Sequence, residues 1–325
     1  MINVLLVGLG KIGMGYDLDS TSDNIIMTHA KAITLHPEFE IVAAVDPDLG
    51  LRKKFVKSYQ RPAYKSIEEA TKMHTFFDLV IVAAPTEQHK GIIIQLLTEF
   101  IPKVILCEKP LSYSNQEAKD IVEMCNSENV KLFVNYMRRS DPAVIEIKNL
   151  IANGVMAEPI KGVAWYSKGF IHNGSHFFNL IEFWLGKYLS SKIINYGRSI
   201  GESDREPDVC VKFERGEVTF IALWEEHFSH YTIELLSPSG RVNYSRGGED
   251  VYLQKVRKNP IVQGYRHLSP DIIKIKNDMN HYQLNVLNQI YNVLNEKEYS
   301  LCSGIEGMQT ITNMQNILMG KDENG

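Results

Sequence analysis

Ile2-Asn3-Val4-Leu5-Leu6-Val7 runs straight into Gly8-Leu9-Gly10-Lys11-Ile12-Gly13, and the order of these two pieces decides the fold. The first reads as a strand buried on both faces. In the second, Gly8 permits the tight turn out of the strand. Gly10 lets backbone N–H groups approach a pyrophosphate, and Gly13 lets the next helix pack closely on the sheet. Taken alone, GxGxxG is equally an ordinary glycine turn. Directly after an N-terminal apolar strand it predicts a dinucleotide site in which Gly8, Gly10, Lys11, Ile12 and Gly13 cradle the phosphates at a helix start.

Working outward, short apolar runs alternate with helix-period stretches up to about residue 135. Strands are expected at Ile41–Val45, Leu79–Ala83, Val104–Cys107 and Leu132–Val134, with a shorter one near Ala63–Tyr64. Helices are expected at Thr28–Leu35, Leu49–Ser58, Ser66–Lys72, Gln88–Glu99 and Asn115–Asn126, several behind a capping Asp, Ser or Thr. This alternation predicts an α/β, doubly wound parallel sheet, a Rossmann domain over 1–135. From 136 to 325 the texture changes. Helices at Pro142–Ala152 and His176–Leu185 flank a strand at Ile160–Tyr166. Strand-like segments follow at Lys192–Tyr196, Asp208–Glu214, Val218–Trp224, Tyr231–Ser237, Arg241–Tyr244 and Val251–Val256, parted by turns such as Arg215-Gly216 and Pro238-Ser239-Gly240. Consecutive strands without crossover helices predict an α+β domain with an open, mainly antiparallel sheet. Helices at Asp278–Leu294 and Ile305–Leu318 close the chain, and the tail Gly320–Gly325 is expected to fray.

An acidic residue should follow the glycines by about 20 positions, where its carboxylate accepts from the adenosine ribose. Asp46 ends the second strand but lies 33 residues beyond Gly13, and the 12-residue polar segment Tyr16–Met27 accounts for the surplus as an inserted loop. A carboxylate there repels a ribose 2′-phosphate and favours NAD, while Arg52 and Lys53 nearby leave NADP open. The alternative is that Asp46 caps the helix after Pro47. At the end of the Leu79–Ala83 strand, Pro85 and Thr86 stand where an open sheet presents its crevice, Thr86 serving as cofactor contact or as plain helix cap.

The next strand ends in Cys107-Glu108-Lys109-Pro110, which puts a lysine at the crevice beside the expected nicotinamide, with Glu108 on the cofactor side. Further on, His172-Asn173-Gly174-Ser175-His176-Phe177-Phe178-Asn179 opens an apolar helix. With Asn173 or Ser175 as cap, His176 and Asn179 face the same way. Hydride transfer at a carbinol carbon requires a proton to move on its oxygen. Histidine titrates nearest neutrality, and an ammonium can orient the hydroxyl and stabilise alkoxide character. The competing description is a solvated loop lysine and a satisfied core histidine. Tyr136, Arg138 and Arg139 can line a pocket, where an arginine suits a substrate phosphate or carboxylate, or can form ordinary interdomain ion pairs. Trp165, with Tyr166 and Lys168, can offer a stacking wall for a sugar ring; core packing explains Trp165 equally well.

Together, the glycine fingerprint, Ala84-Pro85-Thr86, Glu108-Lys109-Pro110, Tyr136-Met137-Arg138-Arg139 and Gly174-Ser175-His176 resemble the Gfo/Idh/MocA oxidoreductases over nearly the whole chain. The resemblance implies a nucleotide-binding domain followed by a domain that carries substrate and builds the oligomer interface. It implies NAD(P)-dependent oxidation or reduction at a hydroxyl or ketone of a sugar, nucleotide-sugar or cyclitol. Lys109 matches the family's EKP lysine, and His176 its acid/base histidine. His172 and Asn179 stand where many members have aspartates, as a relay and a hydrogen-bonding group toward substrate. Two other functions stay open: a non-catalytic NAD-binding regulator, and an enzyme using retained NAD for redox-assisted elimination or glycoside cleavage.

The 325 residues, 35 basic against 39 acidic, 44% hydrophobic and 23% charged, fit two globular domains. Nothing in the charge balance points to nucleic acid, and no apolar run approaches the roughly 18 residues that cross a bilayer. A cytoplasmic protein is expected, with Cys107, Cys125, Cys210 and Cys302 as reduced, mostly buried thiols and no metal site. An open sheet exposes one face unless covered, which implies a homodimer or homotetramer.

Overall fold

The computed structural model describes residues 1–20, 24–201 and 204–320. Residues 21–23 of the expected insertion and 321–325 of the expected fraying tail lie outside them. The chain forms two compact units, Met1–Ser140 with Asn280–Gln309, and Asp141–Met279 with the chain from Thr310 onward.

In chain order the first unit comprises β1 (Ile2–Val7), α1 (His29–Leu35), β2 (Phe39–Val45), α2 (Leu49–Tyr59), β3 (Ala63–Tyr64), α3 (Ile67–Met73), β4 (Leu79–Val82), α4 (His89–Glu99), β5 (Val104–Cys107), α5 (Asn115–Ser127) and β6 (Lys131–Val134). Neighbouring strands pair in the order β6-β5-β4-β1-β2-β3, all parallel. This is the doubly wound arrangement, with its switch point between β1 and β4. β4 and β5 are buried along their whole length, as apolar runs covered on both faces must be. The side chains of Thr28, Asp48, Ser66 and Ser114 accept from the backbone N–H groups of Lys31, Leu51, Glu69 and Glu117 and so start α1, α2, α3 and α5. Each such cap is worth about 1 kcal/mol.

The second unit contains α6 (Pro142–Ala152), β7 (Ile160–Tyr166), α7 (Ser175–Leu185), β8 (Tyr188–Asn195), β9 (Ser199–Ile200), β10 (Asp204–Arg205), β11 (Asp208–Phe213), β12 (Gly216–Ala222), β13 (Thr232–Ser237), β14 (Gly240–Ser245), β15 (Asp250–Lys258), β16 (Arg266–Leu268) and β17 (Ile273–Lys274). Its large sheet runs β16-β15-β14-β13-β7-β12-β11-β8, with β17 on β15. Hairpins supply the antiparallel pairs β11–β12, β13–β14 and β14–β15. β7 enters the middle of the sheet and pairs in parallel with β12. Its period-2 alternation buries Ile160, Ala164 and Tyr166 against Ile147 of α6 and Phe178 and Ile181 of α7.

The chain then forms α8 (Tyr282–Leu294), β18 (Cys302–Ser303) and α9 (Gly304–Leu318). The sequence suggests one boundary at 135/136, whereas residues 280–309 return to the first unit. Val286, Leu287, Ile290 and Val293 make a helical stripe buried with Leu6, Ile33 and Ile41, and β18 adds an antiparallel edge to β6. Cys107, Cys125 and Cys302 are buried thiols and Cys210 is half-buried. Among the described residues no helix is long and apolar enough to cross a membrane.

Candidate cofactor and catalytic site

Backbone contact dictates two of the three fingerprint glycines. Gly8 has φ +99°, and a Cβ there would lie 2.6 Å from the carbonyl carbon of Ala83; a Cβ on Gly13 would lie 2.1 Å from the Gly8 oxygen. A Cβ on Gly10 would meet nothing within 4 Å. The fold itself therefore does not demand glycine at 10, and the open space is what an approaching pyrophosphate needs. The helix expected to follow is different. Lys11–Gly15 is a single turn closed by i→i+5 bonds from Gly15 N–H to Gly10 O and Tyr16 N–H to Lys11 O, and α1 begins only at His29. Asp17 pinches the two ends of the insertion together. Its Oδ2 accepts from the N–H groups of Met27 and Thr28, and its Oδ1 accepts from the Thr28 hydroxyl. The insertion has interrupted the helix, so the dipole available to a phosphate is that of one turn.

Asp46 sits just beyond β2, where Oδ2 accepts from Leu9 N–H and Oδ1 from Asp48 N–H, both at 2.8 Å. The capping alternative is corrected, because Asp48 caps α2 through Leu51 N–H. The Arg52 guanidinium donates to the carbonyls of Asp46 and Pro47 at 2.7 and 2.8 Å. Thr86 is not a cap either: Pro85 and Gln88 flank its short turn and α4, and neither start has a side-chain cap. The local link is instead His89, fully buried, whose ring nitrogens lie 3.1 Å from Leu111 O and 3.0 Å from Ala84 O, joining the segments after β4 and β5. The sequence reading missed it; a histidine heading an apolar helix was the available signal.

At the end of β5 the Lys109–Pro110 peptide is cis. The Glu108 carboxylate is nearly enclosed and accepts at Oε1 from His29 Nε2 (2.8 Å) and Asn135 Nδ2 (2.7 Å). Burial pushes its pKa up, but His29, Asn135 and the Lys109 charge outweigh burial and leave it below the ordinary carboxylate value. Lys109 is lowered to about 8: burial disfavours its charge, Glu108 opposes that, and Arg138 adds repulsion. An amine near 8 can hold or release a proton at neutral pH, which a solvated lysine does not do. Tyr136 is buried in the apolar cluster with Leu111 and Val134. Arg139 pairs with Glu306 at 2.8 Å within this unit, while Arg138 is half-buried.

In the second unit Gly169–Gly174 forms a wide helical turn that runs directly into α7. Gly174 is already helical at φ −55°, ψ −29°, so the preceding turn replaces the expected Asn173 or Ser175 cap; Asn173 Nδ2 donates to Ser167 O instead. Asp204 and Glu206 hold this turn by accepting from the N–H groups of Ile171, His172 and Gly169. His172 is exposed and His176 is buried on α7. Asn179, also buried, donates to the Thr310 hydroxyl at 3.0 Å, and Thr310 and Asn313 donate in turn to Glu182. The three-part wall is corrected. Tyr166 is wholly buried with its hydroxyl on Pro207 O, and Lys168 pairs with Glu225. Strand alternation places half-buried Trp165 on the opposite face from Tyr166. Among the described residues no His, Cys, Asp and Glu group could hold a metal ion.

Residues 2–136 match the model of an oxidoreductase family with an NAD-binding Rossmann fold, GFO_IDH_MocA. A scyllo-inositol 2-dehydrogenase (NAD(+)) of Bacillus subtilis (strain 168) is 29% identical over 175 residues, 52% of this chain and 44% of that protein. The curated relatives are matched over less than half their length. The fold extends further. A putative NADPH-dependent oxidoreductase from Desulfitobacterium hafniense DCB-2 superposes with a TM-score of 0.78 at 15% identity, over 98% of this chain and 95% of that one. A levoglucosan dehydrogenase solved with NADH and L-sorbose gives 0.77 at 13%, over 99% and 97%.

Proposed function

We propose that this chain, whose residues 2–136 match the model of the GFO_IDH_MocA oxidoreductase family with its NAD-binding Rossmann fold, is a dehydrogenase or reductase acting on a hydroxyl or ketone of a sugar, nucleotide-sugar or cyclitol. The observation that carries the reading is Lys109, an amine lowered to about 8 at the carboxyl end of β5. The open side of Gly10 and the forced turn at Gly8 and Gly13 suit a dinucleotide pyrophosphate. Asp46 supplies a carboxylate for the adenosine ribose, and Arg52 is committed to backbone carbonyls, which favours NAD over NADP. When bound, the nicotinamide supplies the hydride acceptor or donor.

The chain's own groups handle the rest. The Lys109 ammonium orients the substrate hydroxyl and stabilises charge developing on its oxygen, and His176 takes or returns the proton. Arg138 suits a substrate phosphate or carboxylate, with His172 and Asn179 as further substrate-side groups. The chain acts as a homodimer or homotetramer through its open sheet. The inositol, diol and xylose dehydrogenases among its relatives favour polyol chemistry.

A dialysed sample given NAD or NADP with a panel of inositols, aldoses and nucleotide-sugars should produce net reduced nicotinamide, read by its near-ultraviolet absorbance. Lys109→Ala should abolish that signal and leave NADH binding intact. Loss of NADH affinity in that variant, or product formation with no net nicotinamide change in the wild type, contradicts the proposal.

A further inference from the structure

Glu108 is a carboxylate where burial alone favours the neutral acid, and two side chains from distant parts of the chain keep it ionised. His29 stands 79 residues away at the start of α1, and Asn135 stands 27 away just past β6. Both donate to the same oxygen, Oε1, and the Asn135 amide also donates to Gln283 of α8 at 3.2 Å. His29 reaches this place because Asp17 gathers the Thr28 N–H and hydroxyl at the close of the insertion. Lys109 is the next residue along. Groups from several elements act on this pair: Cys107 on β5, His29 on α1, Arg138 after β6 and Tyr282 on α8. Glu108 favours the ammonium, while burial and Arg138 oppose it.

We propose that His29 is a positioning residue for Lys109, acting through Glu108: its Nε2–H holds the carboxylate as an anion beside Asn135, and that anion keeps the neighbouring amine charged. The role rests on Lys109 being the ammonium that orients the substrate hydroxyl, as proposed above. Without the His29 donor, burial governs Glu108 and its pKa rises. The negative charge beside Lys109 then weakens, and the lysine titrates at lower pH.

Competitive trace acetylation of the full chain across about pH 6 to 11, with Lys109 modification followed by mass spectrometry, reads that titration without a substrate. The wild-type midpoint is expected near 8. His29→Phe should lower it by on the order of one pH unit, and His29→Gln, which keeps an N–H donor, should restore most of the shift. Asn135→Ala removes the second donor and should move the midpoint the same way by less, which serves if His29→Phe does not fold. An unmoved midpoint in a folded His29→Phe or Asn135→Ala chain overturns the proposal, as does failure of His29→Gln to differ from His29→Phe. Normal turnover by Lys109→Ala would instead overturn the functional reading, because the labelling midpoint does not depend on turnover.

Discussion

After β1 the chain is shaped by side chains it lacks, and after β5, on the same edge of the sheet, by charges it buries. Gly8 and Gly13 are fixed by backbone atoms that would overlap a Cβ, so that turn is a steric object. Glu108 and Lys109 are fixed by hydrogen bonds and opposing charges, so that strand end is an electrostatic one. The difference bears on how each fails. A steric turn breaks when atoms are added, at any pH. A buried charge network keeps its shape and loses its function when one donor is removed or the pH moves.

The largest expected effect therefore lies in the first region. Gly13→Ala drives a methyl against the Gly8 carbonyl and should cost on the order of 3 kcal/mol or more, seen as a lowered midpoint in thermal unfolding. Gly10→Ala, whose methyl enters open space, should stay within about 0.5 kcal/mol of wild type and weaken NADH binding about tenfold or more. Equal stability loss in the two variants would erase the distinction between fold glycine and cofactor glycine.

In the second region the changes should be chemical. Lys109→Ala should lower kcat by about 100-fold or more without altering the unfolding midpoint. The ammonium predominates below its pKa of about 8 and is lost above it, so kcat/KM should fall as pH rises through that value. Lys109→Arg, which does not titrate there, should lack that limb. Smaller again is Asp46→Asn. It keeps an acceptor for Leu9 N–H but removes the charge, and the ratio of NAD to NADP affinity should fall about tenfold; an unchanged ratio would place cofactor discrimination elsewhere.

The same contrast explains what could be read from the amino acids. The glycine turn, the parallel strands and the lysine at the end of β5 are local, each settled within about ten residues of chain, and all were legible. His29 and Asn135 meet Glu108 across separations of 79 and 27 residues along the chain, Gln283 meets Asn135 across 148, and nothing in local periodicity joins them. The return of α8 to the first unit was hidden for the same reason, since its apolar stripe says that it packs but not on what. The insertion was legible from spacing; its effect, a single turn in place of a helix at the glycines, was not. In the second unit, alternation correctly marked β7, while its parallel pairing with β12, as in Ile160 with Gly216, depends on a strand far along the chain. Tyr166 is in the core because of its parity on that strand, which a glance at aromatic composition does not register.

The central claim is that the Lys109 amine, at the carboxyl end of β5, serves the carbon that exchanges hydride with the nicotinamide. A crystal structure of the NADH complex tests it most directly. The account predicts the Lys109 amine within hydrogen-bond reach, about 3 Å, of a position where a substrate oxygen can sit beside the reactive edge of the nicotinamide ring. Finding the amine turned away from the ring, with no open space between them, would contradict it and leave only a nucleotide-binding unit.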